Sequence, residues 1–142
     1  AAGAAAPAGL HPGEVIWFAN GFYVELKDGG GASATEVIVD PGTGAVALEP
    51  GPAMMWNTRY GMHRFTGATS VSAVQAQQIA AAWVGANLPG RRVLAPEVYP
   101  GYYTMETGTV GGTVNGMLSV NASTGQVWYH SWHAAFIARE DS

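Results

Sequence analysis

Two short segments concentrate the side chains of this chain that could do chemistry. The first is Met54-Met55-Trp56-Asn57-Thr58-Arg59-Tyr60-Gly61-Met62-His63-Arg64, which holds three of the five Met and one of the four His. The second is Trp128-Tyr129-His130-Ser131-Trp132-His133. Thioether sulfur and imidazole nitrogen, in a chain without Cys, form a donor set that suits Cu(I). An indole can also cap a soft cation through its π face. Met54, Met55, Met62, His63, His130 and His133 are therefore the candidate metal ligands, and Cu(I) is the candidate cofactor. A plainer reading stands beside this one. Met fills irregular gaps in cores and interfaces, and buried imidazoles commonly bond to backbone. On that reading Trp56, Tyr60, Trp128 and Trp132 make a contact surface for another protein.

Local geometry decides between these readings. Along a strand, His130 would face away from His133. On a helix the two would share a face at i, i+3 and form a local chelate.

Enzymatic signatures are missing. There is no Gly-x-Ser-x-Gly elbow, no phosphate loop and no His-Glu-x-x-His pair. The carboxylates are scattered, and Asp40 and Glu49 read as turn and strand-edge residues. A formal net charge of −4, with only Arg91-Arg92 as a basic pair, argues against a phosphate-tracking surface and so against nucleic acid. No apolar run reaches the roughly 18 residues that span a bilayer. Charged residues make up 11%, under half of what an ordinary domain carries, so the surface has little colloidal repulsion and favours association.

These segments must be positioned by a β-rich chain with 20 Gly and 8 Pro. Residues 1–13 read as a flexible Ala/Gly/Pro arm, and their small residues resemble the start of a mature exported protein. Residues 14–142 read as one domain. Glu14–Ala19 and Phe22–Lys27 flank Asn20-Gly21, a strong hairpin signal. Thr35–Asp40 and Ala45–Glu49 flank Pro41-Gly42-Thr43-Gly44. Glu25 and Lys27 would then share a solvent face, with Val24 and Leu26 in the core. Ser72 and Gln75 have capping-box spacing ahead of an Ala-rich helix over about 72–88, which Pro89-Gly90 ends.

The second half repeats the first. Gly21–Val24 matches Gly101–Thr104, and Val37–Asp40 with Thr43–Val46 matches Leu118–Asn121 with Thr124–Val127. An offset of about 80 residues predicts two duplicated β-units, 14–50 and 91–130. The expected fold class is α+β, an antiparallel β-structure of these two units, as one sheet or two abutting ones, with the one main helix packed on a face.

The capped Ala-rich helix Ser72–Leu88, the strand Gly101–Thr104 and the strand-turn Leu118–Val127 together resemble a PepSY-type domain over roughly 70–128, with a degenerate β-only copy at 15–50. The resemblance implies an exported or membrane-anchored setting, periplasmic or extracellular, and roles such as protease inhibition or metal-linked function. It brings no catalytic residues. The leading expectation is an exported, non-enzymatic binding or assembly module that contacts a partner or itself. A Cu(I)-binding protein or metallochaperone is the alternative, and a protease inhibitor-like domain a further one.

Overall fold

The computed structural model describes residues 9–61, 69–109, 114–133 and 136–140. Met62 and His63 lie outside the described residues. Of the described residues 46% are in strands and 16% in helices. The expected α+β fold is therefore corrected to a mostly β architecture with two antiparallel sheets.

The first sheet contains β1 (His11–Phe18), β2 (Gly21–Lys27), β3 (Ser33–Val39), β4 (Val46–Leu48) and β10 (Phe136–Glu140), in the order β10-β1-β2-β3-β4. The second has β5 (Arg91–Val93), β7 (Tyr102–Thr109), β8 (Val114–Asn121) and β9 (Val127–Tyr129) in sequence order, with β6 (Glu97–Tyr99) also pairing β7. Between the sheets in sequence come the one-turn helix α1 (Pro52–Met55) and the longer α2 (Ala73–Asn87). No helix among the described residues is long and apolar enough to cross a membrane.

The hairpin signals fold as expected. Asn20-Gly21 joins β1 to β2 with Trp17 opposite Phe22, although β1 already begins at His11, within the expected arm. The β3–β4 and β8–β9 turns make the same bonds. Asp40 Oδ1 accepts from the N–H of Gly42 and Thr43, and Asn121 Oδ1 accepts from Ser123 and Thr124. Each turn closes on a glycine with positive φ, Gly44 and Gly125. The hairpins stay in step afterwards. Glu49 N–H donates to Glu36 O, and His130 N–H donates to Met117 O.

The layers explain why two sheets form. Helix α2 starts at the expected capping box, with Gln75 N–H on Ser72 Oγ and Ser72 N–H on Gln75 Oε1. Its small residues Ala76 and Ala80, with Val84, let it lie close on Tyr103, Met105, Leu118 and Val120. That covers one face of the second sheet only. Among the described residues the first sheet has no long helix packed on it, and it puts apolar residues on both faces. Val24, Leu26, Val37 and Val39 cluster on one, while Ile16, Phe18 and Tyr23 meet Met117 of the second sheet on the other. Glu25 therefore does not share a solvent face with Lys27. It is buried on the inner face, where its carboxylate accepts from Glu14 N–H at 3.1 Å and from the Ser33 hydroxyl.

Candidate metal centre

The space between the sheets is polar where a sandwich core is normally apolar. Strand alternation places Tyr23 and Glu36 on the inner face of the first sheet, against Tyr99, Tyr102 and Thr104 of the second. Glu36 is fully buried. Its Oε2 accepts from Tyr23 OH at 2.5 Å, and its Oε1 from Tyr102 OH at 2.8 Å and Thr104 Oγ1 at 3.0 Å. The chain of polar contacts continues from Thr104 Oγ1 to Ser119 Oγ at 2.8 Å and from Ser119 Oγ to His130 Nε2 at 2.9 Å.

It ends on three groups that the end of β4 and the end of β9 bring together. Glu49, one residue past β4, shares the inner face with Glu36. Beyond β9 the chain forms neither the strand nor the helix considered for residues 127–133. It turns tightly, with Ser131 N–H on Tyr129 O, and the turn folds His133 back beside His130. One carboxylate oxygen of Glu49 and one nitrogen from each histidine all lie within 4.8 Å of one another. The side chains of Glu49 and His130 have no exposed surface, and that of His133 is 5% exposed. His133 Nε2 is 2.7 Å from Glu49 Oε2, and His130 Nδ1 is 3.3 Å from Glu49 Oε1.

Neither contact has the alignment of a hydrogen bond. Among the described residues Glu49 Oε1, His130 Nδ1 and His133 Nε2 have no hydrogen-bond partner. Buried polar atoms almost always have one, so three orphans in one place form an unfilled donor set.

The walls of the site hold these groups still. Trp132 Nε1–H donates to Glu49 Oε2 at 3.2 Å, and its ring stacks on His130 at 4.7 Å. Phe18 stacks on His133 at 4.1 Å, and Tyr23 meets the same imidazole edge-on at 6.0 Å. While Glu36 Oε1 is the acceptor of the Thr104 hydroxyl, hydroxyl valence sets the tautomer of His130. A hydroxyl has one proton to give. Thr104 gives its own to Glu36 and must accept from Ser119. Ser119 must in turn accept from His130 Nε2–H. Nδ1 is left with a bare lone pair facing Glu49 and His133, the arrangement that second-shell partners give metal-bound histidines.

Burial sets the charge states of the metal-free site. It pushes the Glu49 carboxyl up to about 8 against the Trp132 hydrogen bond, and it pushes Glu36 up to about 8, reinforced by Glu49. Burial also holds His130 well below the usual imidazole range, helped by His133, and lowers His133 to about 4. Both imidazoles are thus neutral at pH 7, as ligands must be, and Glu49 lacks only the cation that would make its ionised form favourable.

Met54 and Met55 of the first segment lie on α1, with Met55 partly exposed. Trp56 is a core residue packed with Tyr99 and Tyr102, not part of an outward surface. Its ring meets Trp128 at 5.3 Å in a T-shaped contact. Trp128 and Trp132 both close over Gly51 at the start of α1, so the two segments meet through indole rings. Tyr60 is half-buried with the Arg59 guanidinium over its ring.

Of the six proposed ligands, His130 and His133 join the cluster. Its third member, Glu49, had read as a strand-edge residue. The available signal was its phase, since Glu36, Ile38, Ala47 and Glu49 share one face of a paired hairpin. Comparison of the chain with family models, curated proteins and solved structures yields no match, so the site's chemistry rests on its own geometry.

Proposed function

We propose that this protein binds a single divalent transition-metal ion through Glu49, His130 and His133. The observation that carries the reading is the set of three buried donor atoms, within 4.8 Å of one another and without hydrogen-bond partners among the described residues. Two imidazoles and a carboxylate suit Zn(II), Fe(II) and their neighbours, and three protein donors leave coordination positions open. The same set is a poor match for Cu(I), which favours the softer thioether donors expected of Met54 and Met55.

The test is metal analysis and Zn(II) or Co(II) titration of the wild type beside Glu49→Gln and His133→Ala. One ion per chain is expected, with both variants losing affinity at least 100-fold. Equal binding by the variants, or no stoichiometric uptake by the wild type, refutes the reading.

A second reading, association with another protein in an exported setting, draws on single exposed apolar side chains of the first sheet. Trp17 is 42% exposed and stacks on Phe22 at 5.6 Å, and Ile137 on the edge strand β10 is also exposed. Apolar side chains at a sheet edge favour strand-to-strand contact. Light scattering from micromolar to millimolar concentration tests it, and a constant monomer mass together with failure to capture a partner would refute it.

A further inference from the structure

Beside the metal site a cavity of about 290 Å³ lies between the inner face of the first sheet and the 130–133 turn. Ile38 and Ala47 form its sheet wall, Pro50 extends from Glu49, and Trp132 and His133 close it on the far side. His133 is thus at once a donor of the centre and a wall of the cavity. Phe22 adds further apolar surface, and Asn20 and Asp40 supply the polar groups. Asn20 is fixed there by its amide N–H on Trp132 O at 2.7 Å, and Asp40 by its bonds to Gly42 and Thr43. The volume lies at the lower end of small-molecule sites, about 300–1,000 Å³, which limits the occupant to about one ring.

The centre supplies the other half of the recognition. A divalent cation held by one carboxylate and two neutral imidazoles retains one positive charge (2 − 1) in a site walled from water. A fourth ligand that carries one negative charge on oxygen neutralises it, and hard or borderline divalent ions accept such a donor. The walls then ask for an apolar body behind that head group.

We infer that the open coordination position and this cavity together bind a small monoanionic organic acid, its carboxylate on the metal and its ring or branched chain between Ile38, Ala47, Pro50 and Trp132. The inference rests on the metal-centre reading above and adds the class of its exogenous ligand.

The experiment uses the full chain loaded with Co(II), whose visible absorption reports its ligands, titrated with benzoate and with acetate. Benzoate is expected to change the Co(II) spectrum with a Kd at least tenfold below that of acetate. Ala47→Phe, which fills the cavity from the exposed edge strand, should keep Co(II) affinity within about twofold and bring benzoate to the level of acetate. Ala45→Trp in the adjoining turn gives the same reading if Ala47→Phe fails to fold. Equal affinity for the two acids in the wild type, or undiminished benzoate binding in both variants, overturns the inference while leaving the metal centre standing. A flat Co(II) titration before any acid is added overturns the metal centre itself, and the inference with it.

Discussion

The buried acids and imidazoles between the sheets should give the metal-free protein an unusual dependence of stability on pH. Glu36 and Glu49 have folded pKa values of about 8 against an ordinary 4.5. A raised acid holds its proton more tightly in the folded state, so its contribution is fully present below the unfolded pKa and lost as pH rises toward 8. His130 and His133 are lowered, His133 to about 4 from 6.5. The unfolded chain takes up protons on them first, so their effect destabilises as pH falls below 6.5. Each group contributes a slope of about 1.4 kcal/mol per pH unit where the two states differ by a whole proton.

Between about 4.5 and 6.5 the two acids and two imidazoles oppose one another, and stability should be nearly flat. From 6.5 to 8 only the acids remain. The slope should then reach up to about 2.7 kcal/mol per unit, a loss of about 3–4 kcal/mol in all. That is a large part of the 5–15 kcal/mol a domain of this size has. Urea unfolding in the presence of EDTA, followed by the fluorescence of the five Trp from pH 5 to 8.5, measures it. Glu49→Gln should halve the fall above pH 6.5, and so should saturating Zn(II), because a metal-bound Glu49 no longer prefers its proton. Metal-free stability that stays level or rises from pH 6.5 to 8 would refute the account of Glu36 and Glu49 as buried neutral acids.

Three further outcomes follow from contacts described above. Ser119→Ala and Thr104→Val each interrupt the hydroxyl chain that orients His130, and each should weaken metal binding about 10- to 100-fold by calorimetry while the near-ultraviolet dichroism of the apo protein stays native. Glu36→Val leaves the hydroxyls of Tyr23, Tyr102 and Thr104 buried without their acceptor, at about 1–3 kcal/mol each. Thermal unfolding should show most of the protein's stability gone. Gly51→Ala puts a Cβ 2.9 Å from Trp132 and 3.1 Å from Trp128 at a residue with φ of 84°. It should cost about 1–3 kcal/mol and shift the Trp emission.

Much of the first sheet and all of α2 were legible in the sequence because local chemistry determines them. Asn20-Gly21, the Asp40–Gly44 turn and the Ser72/Gln75 box each satisfy their own backbone within a few residues. Whether the two units share one sheet or make two was not legible. The division follows from a choice made at a distance, since α2 covers Tyr103 and Met105 and leaves the opposite face of β7 to meet Glu36 through Tyr102 and Thr104. The pairing of β10 with β1 is likewise long-range, Phe136 lying opposite Phe18. At the site, His130 and His133 were visible by type, but a tight turn rather than a helix brings them together. Glu49 was hidden because a single carboxylate after an apolar strand is usually solvated. Only the second sheet lying over it makes it buried.

The donors of the centre come from position 49, after the first β-unit, and from positions 130 and 133, after the second, and the chain has no cysteine. A bound ion would therefore act as a clasp, tying the two sheets together across a loop of about 80 residues. A covalent link over that span is worth about 4.5 kcal/mol in the chain-entropy account, and a coordinate link is reversible where a disulfide is not under the same redox conditions. The protein would then hold its sheets together more firmly where metal is supplied. Its lifetime against proteolysis would become a readout of the free metal concentration around it.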